Sequence, residues 1–282
     1  MLDKNDFKVI IVGGGVAGLA LANMLEQYGW DYLILESHSA IAPQVGASIG
    51  MFPNGLRILD QLGLYAPIHA HFEGQTRCET FYTRRADGTI ISQLNDVRTH
   101  LERRHGYPFL FFDRQKLPEI MYRNLQHKDR VLVNKRVTSI ELSSGAGSVT
   151  CADGTVFRGT LVVGADGVHS TVRDSMTSIA NKFDPGYFDH TEASRVPCFY
   201  RCSFGIAKNV PGWVDGTQHT IVGQGMSQLV VSGPENKVYW FLFERLPRPN
   251  YGKDIAPYSR EDEAEFVRLH CTLPVTENIT FG

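Results

Sequence analysis

This chain of 282 residues has little of what marks several broad classes of protein. Its five cysteines are scattered and form no CxxC pair, so neither a disulfide framework nor a zinc site is predicted. The ten histidines show no spacing typical of metal ligands, and no metal site is expected. The net charge of −2 lacks the basic excess of a nucleic-acid-binding protein.

Long apolar runs are also missing. No stretch of about 18 apolar residues occurs, so no membrane-spanning helix is expected in this chain. The apolar stretch at residues 9–25 follows two aspartates and is interrupted by three consecutive glycines, which is unlike a signal peptide. A cytoplasmic location is therefore expected.

What the chain does have is a glycine-rich turn between an apolar strand and a helix. Gly13, Gly15 and Gly18 stand in VIIVGGGVAGLALANML, and Glu36 ends the next apolar stretch, YLILE. Such glycines allow a tight turn, close approach of a pyrophosphate and close helix packing, and an acid about 20 residues later suits ribose hydroxyls. The pattern predicts a site for an adenine dinucleotide. A strand-turn-helix without a ligand is the alternative.

A second motif, LVVGADGVHSTVRDSM, occupies residues 161–176. An apolar strand delivers Asp166 at its carboxyl end, where ligands of open α/β sheets gather. Gly167 allows a turn, and Ser170 and Arg173 follow on the next segment. An ordinary Asp-Gly turn before a capped helix is the alternative interpretation.

The remaining patterns predict an α/β first half and a β-rich second half. The expected elements include strand 8–12, helix 16–28, strand 31–36, a hairpin over 79–94 and a meander of short strands over 131–163. Asp113 is expected to be the N-cap of a helix that carries Leu117. After about residue 180, long antiparallel strands and one charged helix are predicted.

Two further glycine pairs resemble the dinucleotide motif only superficially. Gly145 and Gly147 lie between strands, and Gly223 and Gly225 are followed by another strand, LVVSG. Neither pair stands between a strand and a helix, so both are expected to be turns or β-bulges. The sequence therefore predicts a single dinucleotide site.

These motifs, in this order, resemble class A flavoprotein monooxygenases of the para-hydroxybenzoate hydroxylase fold. The segments FKVIIVGGGVAGLALANMLEQYG, GASIGMFPNGLRILDQLG and YPFLFFDRQKL are similar above all to fungal FAD-dependent monooxygenases of meroterpenoid and indole-diterpene pathways. Many of those enzymes epoxidise a prenyl-derived alkene. The resemblance covers essentially the whole chain.

The resemblance implies a fold of class α/β. A Rossmann-like FAD-binding domain would be interleaved with a mainly antiparallel β-sheet substrate domain, and the C-terminal part of the fold would be missing. The expected FAD-binding segments are 1–78 and 101–180. The expected substrate-domain segments are the hairpin 79–100 and the sheet 181–282.

The resemblance also assigns cofactor contacts. The three glycines of the turn would hold the FAD pyrophosphate, and Glu36 the adenosine ribose. Gly50 would lie against the cofactor by its backbone, and Arg114 would contact the phosphate or ribityl region. Asp166 would help to bind FAD and influence NAD(P)H use. For Arg114 alone, a surface arginine at a helix start is the alternative.

Candidates on the substrate side are less distinctive. Arg195 and Arg201 are candidate catalytic residues that would orient the substrate, and an arginine on the outer face of the sheet is the alternative for each. Five aromatic residues are expected either to line an apolar pocket or to form core. They are Phe199, Phe204, Trp213, Trp240 and Phe241.

The implied activity is insertion of one oxygen atom of O₂ into a large, apolar terpenoid or meroterpenoid, with FAD as cofactor and NAD(P)H as electron donor. Epoxidation is the preferred reaction and hydroxylation the second. The family's third motif, a Gly-Asp that grips the ribityl chain, is expected after residue 282, as is any C-terminal membrane segment of full-length relatives. A non-enzymatic remnant and an NAD-dependent dehydrogenase are the alternatives.

Overall fold

The computed structural model describes residues 7–43, 48–73, 75, 77–143, 145–189, 191, 195–255 and 257–282. The strands are β1 (Lys8–Val12), β2 (Asp31–Leu35), β3 (Ser48–Met51), β4 (Thr80–Arg85), β5 (Ile90–Leu94), β6 (Leu110–Asp113), β7 (Val131–Leu132), β8 (Val137–Ser143), β9 (Ala146–Cys151), β10 (Val156–Gly159), β11 (Leu161–Gly164), β12 (Pro197–Lys208), β13 (Thr217–Gly223), β14 (Met226–Gly233) and β15 (Lys237–Tyr251). The helices are α1 (Val16–Gln27), α2 (Pro53–Gln61), α3 (Tyr65–Ala70), α4 (Val97–His105), α5 (Lys116–Asn124), α6 (Thr171–Phe183) and α7 (Arg260–His270).

The chain divides into two compact units, each built from three separated segments. The first unit comprises Met1–Val45, Asp60–Ile68 and Gln115–His190. The second comprises Gly46–Leu59, His69–Arg114 and Thr191–Gly282. The units place residues 101–114 with the second sheet, whereas the predicted boundaries place them in the FAD-binding domain. The second unit also takes residues 46–59 and 69–78, which the predicted boundaries place in the FAD-binding domain. The predicted domain boundaries stay a prediction.

The first unit contains a parallel sheet in the order β11-β1-β2-β7. Its strands are short apolar runs, as is typical of strands covered on both faces. Ile10 and Ile11 on β1 have no exposed surface, and Leu35 on β2 is 1% exposed. The sequence-based meander over 131–163 is wrong at both ends, because β7 and β11 join this parallel sheet and only β8, β9 and β10 form an antiparallel sheet.

The second unit contains a six-stranded sheet in the order β12-β15-β14-β13-β4-β5. Every pair is antiparallel except β13 with β4, so the expectation of a mainly antiparallel sheet is confirmed. The predicted hairpin around Asp87 and Gly88 forms between β4 and β5. A capping box of Ser259 and Asp262 starts the predicted charged helix, α7.

One local prediction in this region is wrong. Asp113 ends β6 and is not the N-cap of α5, because Gln115 occupies that position. The Asp113 carboxylate instead accepts hydrogen bonds from Lys237 and Tyr239 on β15. These partners are more than 100 residues away in the chain, which is why the local pattern did not predict them. Across the described ranges, no helix combines the length and apolarity needed to cross a bilayer.

Candidate functional site

The glycine turn is packed against the loop that follows β11. Gly13 has a φ of +106°, a backbone conformation that favours glycine. Its N–H donates a hydrogen bond of 2.9 Å to the carbonyl oxygen of Leu35 on β2. A Cβ atom at Gly13 would lie 2.4 Å from the carbonyl oxygen of Ala165 and 3.1 Å from Cα of Asp166. The two sequence motifs therefore meet at the carboxyl ends of neighbouring parallel strands.

The other two glycines have different surroundings. A Cβ atom at Gly18 would lie only 2.0 Å from the carbonyl oxygen of Gly13, so this glycine allows α1 to pack against the turn. Gly15 is the N-cap of α1, and a Cβ atom there would meet no atom of the described residues within 4 Å. Within the part of the chain that the structure describes, no side chain caps this helix, and its first turn holds no acidic residue. The N-terminus of α1 thus faces open space, and its N–H groups and dipole suit an anion.

Glu36 presents a buried carboxylate beside this turn. The residue is 8% exposed, and its Oε2 accepts a hydrogen bond of 2.6 Å from the N–H of Gly14. Its Oε1 accepts one of 2.8 Å from the N–H of His38 and lies 2.6 Å from Nδ1 of that ring. Burial raises the pKa of the Glu36 carboxyl, but these hydrogen bonds and the His38 ring outweigh it, so the pKa lies below its ordinary value. Glu36 is therefore an ionised acceptor.

Asp166 is held by the start of α6. Its Oδ1 accepts a hydrogen bond of 2.6 Å from Oγ of Ser170, and its Oδ2 accepts one of 3.2 Å from the N–H of Val172. Ser170 is the N-cap of α6, and its Oγ accepts from the N–H of Arg173. The capped helix that the sequence offered as an alternative does form. It also holds the Asp166 carboxylate, while the Cα atom of Asp166 lies against Gly13 of the turn.

The structure thus brings together five predicted cofactor residues in the first unit. They are Gly13, Gly15, Gly18, Glu36 and Asp166. Gly50 and Arg114 lie in the second unit. Gly50 pairs with Phe111 in the two-stranded sheet of β3 and β6, where a Cβ atom would lie 3.0 Å from the phenyl ring. Arg114 is exposed in the turn between β6 and α5.

The two candidate catalytic arginines have different settings. Arg201 on β12 forms an ion pair with Glu244 on β15, with 2.5 Å between Nη2 and Oε2. Its guanidinium lies 4.6 Å from the centre of the Phe266 ring on α7. These contacts favour the structural alternative for Arg201, on the face of the sheet that α7 contacts. Arg195 is exposed just before β12.

The five candidate aromatic residues separate by sheet face. Phe204 and Phe241 are cross-strand partners, and their ring centres lie 6.0 Å apart. Trp240 packs against Gly205 and, with Trp213, joins the cluster around Val230. The two tryptophans are half-buried and pack against core residues, which favours the structural alternative for them. Phe199, at a β-bulge of β12, is 46% exposed.

Sequence reasoning missed Phe243 on this face. Its ring stacks on Phe241 at 6.2 Å with an interplanar angle of 6°. The period of two along KVYWFLFERL was a usable signal, because it places both side chains on one face of β15. Phe204, Phe241 and Phe243 are named here the aromatic face. Phe204 is 44% exposed, whereas Phe241 and Phe243 are half-buried and Phe241 packs against the core around Tyr239, so the face is partly open in the described part of the second unit.

A cavity of about 310 Å³ lies at the edge strand β12, between it and the start of α7. Arg201, Ser203, Asp262 and Glu263 line it, together with apolar side chains. Oγ of Ser203 donates a hydrogen bond of 3.2 Å to the Glu263 carboxylate, so these two polar side chains of the cavity lining bond to each other.

Comparisons with known proteins agree with this geometry. Residues 6–187 match the family described as FAD binding domain. The chain is 39% identical over 281 residues to the FAD-dependent monooxygenase nvfK of Aspergillus novofumigatus, covering all of this chain and 59% of that protein. It is 36% identical to the FAD-dependent monooxygenase penE of Penicillium thymicola, covering 99% and 58%. The chain therefore spans less than two thirds of the length of these curated relatives.

A solved structure shows the same fold at lower identity. HpxO of Klebsiella pneumoniae, complexed with FAD and uric acid, superposes with a TM-score of 0.70 at 22% identity, covering 94% of this chain and 62% of that one. A probable FAD-dependent monooxygenase of Pseudomonas aeruginosa, pqsL, gives 0.68 at 20%. The predicted fold class and the resemblance to fungal FAD-dependent monooxygenases are both confirmed.

Proposed function

The chain belongs to the FAD binding domain family, and from this premise we propose that it forms the FAD-binding part of a monooxygenase that oxidises a large apolar substrate. The proposed electron donor is NAD(P)H and the oxygen source is O₂. The observation that carries the proposal is the contact between Gly13 and the Ala165–Asp166 backbone, which joins the two sequence motifs in one site.

The residues of the first unit suit FAD. The open space at Gly15 and the uncapped N-terminus of α1 fit a pyrophosphate. The ionised Glu36 can accept hydrogen bonds from ribose hydroxyls. We further propose that Asp166, held by the start of α6, contacts the cofactor by its backbone or carboxylate, and that Gly50 and Arg114 contribute from the second unit.

Bound FAD would supply hydride uptake and oxygen transfer, chemistry that the chain's side chains lack. The protein's own contribution is to bind the cofactor, orient the substrate and exclude water. The aromatic face supports an apolar substrate, since it presents flat rings on one side of the sheet. We propose a terpenoid or meroterpenoid, with epoxidation preferred and hydroxylation second, on the resemblance to the fungal pathway enzymes.

Roles for Arg195 and Arg201 in orienting the substrate stay predictions. The ion pair between Arg201 and Glu244 supports a structural role for that residue. The cytoplasmic location of this chain and a C-terminal membrane segment in full-length relatives also stay predictions.

The test begins with the visible spectrum of the purified full-length protein. A bound flavin spectrum is expected, and a colourless protein that binds only a nicotinamide cofactor would favour the dehydrogenase alternative. The second step is substrate-stimulated oxidation of NADPH, followed by mass spectrometry of products formed from candidate terpenoids under ¹⁸O₂. Incorporation of one labelled oxygen is expected. Flavin binding without any oxidation of NADPH would favour the remnant.

A further inference from the structure

The turn that carries Arg114 is anchored from a distant strand. Arg114 directly follows the last residue of β6, and only Gln115 separates it from the start of α5. Its own side chain is exposed, so burial of that side chain does not fix the turn. The residue before it, Asp113, is only partly exposed and has both carboxylate oxygens engaged.

Two residues of β15 hold the Asp113 carboxylate. Nζ of Lys237 donates to Oδ2 at 2.7 Å, and the hydroxyl of Tyr239 donates to Oδ1 at 2.9 Å. Lys237 and Tyr239 are two positions apart on a strand, so their side chains leave the same face and reach one carboxylate together. Hydrogen bonds to an ionised group are among the stronger ones in proteins. We name this arrangement the Asp113 clamp.

The clamp is closely packed on the β15 side. Tyr239 has no exposed surface, and its ring packs against Phe111 at 5.4 Å between ring centres. Gly233 leaves room for that ring, because a Cβ atom there would lie 2.1 Å from it. Lys237 also contacts Glu235 at 3.1 Å. Burial lowers the pKa of Lys237, but the two carboxylates outweigh it and raise the pKa, so this ammonium is charged.

We propose that Lys237 and Tyr239 are positioning residues for the cofactor, which hold the turn of Arg114 through Asp113. The inference rests on the proposed function, in which Arg114 contacts FAD. It also links two parts of the second unit, since Phe241 and Phe243 of the aromatic face follow at the next alternate positions of β15. Strand β15 would then carry two rings of the aromatic face and also support the contact between Arg114 and the cofactor.

The experiment measures the dissociation constant of FAD for the full-length apoprotein. Tyr239→Phe removes the hydroxyl and keeps the ring, and Lys237→Met removes the charge and keeps most of the stem. We expect the double variant to bind FAD about tenfold more weakly than wild type, equivalent to about 1.4 kcal/mol. If Tyr239→Phe folds poorly, Lys237→Met alone carries the test, because its side chain is partly exposed.

Matched controls separate positioning from general effects. Lys208→Met makes the same charge change at the residue directly opposite Lys237 on β12, and Tyr251→Phe removes a hydroxyl at the far end of β15. Both should leave the FAD affinity within about twofold of wild type. An effect of either control equal to that of the clamp variants would overturn the proposal.

A double-mutant cycle with Arg114→Ala measures whether the clamp acts on FAD affinity through Arg114. A purely structural role of the clamp would give no such coupling. Arg114→Ala alone should weaken FAD binding, and the clamp substitutions should add no further loss in that background. Additive losses, or wild-type affinity in the clamp variants, would overturn the inference and leave the proposed function intact. A wild-type protein that binds no flavin would overturn both.

Discussion

The candidate site of the first unit and the polar side-chain pairs of the second unit are built differently. In the first, the candidate site depends on backbone atoms that approach each other closely, as at Gly13 beside Ala165 and Gly18 beside Gly13. In the second, ion pairs and hydrogen bonds join side chains far apart in the chain. Arg84 and His219, which form a buried hydrogen bond of 2.9 Å, are separated by 135 positions.

The difference explains which residues were predictable. A close backbone approach demands glycine, and glycine at a fixed spacing is visible in a sequence. An arginine or lysine that pairs with a distant acid has no local signature, because exposed residues of the same types are common. Substitutions at close backbone contacts are therefore expected to have the largest effects, and substitutions at exposed ion pairs the smallest.

The largest effect is expected at Gly18. Gly18→Ala should lower the free energy of unfolding by at least about 3 kcal/mol, because the new Cβ would lie 2.0 Å from a backbone oxygen that cannot move independently. Urea denaturation measures the loss. Gly63→Ala is the control. The φ of Gly63 is +72°, but an added Cβ atom would meet no atom of the described residues within 4 Å, so only backbone strain of about 1 kcal/mol is expected. Equal losses would show that the close contact does not matter.

The second effect concerns the buried pair in the second unit. Burial and, secondly, the Arg84 guanidinium lower the pKa of His219 to about 4. An unfolded histidine titrates near about 6.5, so the unfolded chain binds the extra proton first as the pH falls. Stability from this group is therefore present above about pH 6.5 and is lost towards pH 4, by about 3 kcal/mol.

His219→Gln keeps an acceptor for Arg84 but does not titrate in this window. We expect the variant to lose stability less steeply than wild type between pH 6.5 and pH 4, as followed by urea denaturation at several pH values. Substitution of the exposed His100 by glutamine should leave the wild-type slope unchanged. An unchanged slope in His219→Gln would contradict the assignment.

The third prediction separates binding from stability in the glycine turn. Gly15→Val should weaken FAD binding by about a hundredfold, or about 2.7 kcal/mol, because the side chain would enter the open space at the start of α1. The free energy of unfolding of the apoprotein should change by about 1 kcal/mol or less, the usual cost of a poor N-cap. Flavin titration and urea denaturation of the same variant measure both. A variant that keeps full affinity would remove Gly15 from the site.

The smallest effect is expected at Arg201. Arg201→Met should cost about 1 kcal/mol of stability, since its ion pair with Glu244 is partly exposed. Turnover of NADPH by the full-length enzyme should stay within about twofold of wild type. Arg268→Met, which breaks a more exposed pair with Glu265, should cost less. A large loss of turnover at unchanged stability would instead support the catalytic role.

Much of the fold could be predicted because hydrophobic period and turn residues act locally. Strand β1 was predicted at its observed bounds, and the hairpin at Asp87 and Gly88 forms as expected. Errors arose where tertiary partners decided. Asp113 has the right residue type for an N-cap, yet Lys237 and Tyr239 hold its carboxylate. Strand β11 was placed in a meander, although its partner is β1.

The sequence by itself determined the glycine turn, the acid after β2 and the aspartate after β11, because each depends on a residue type at a position relative to one strand. Only the tertiary structure decided that β2 and β11 flank β1 in one sheet. Glu36 and Asp166, which follow these two strands, therefore both contact the glycine turn. The tertiary structure also decided which aromatic rings share a face and which charges pair. Such choices follow from burial and distance in three dimensions, and neither quantity is contained in the spacing of residues along the chain.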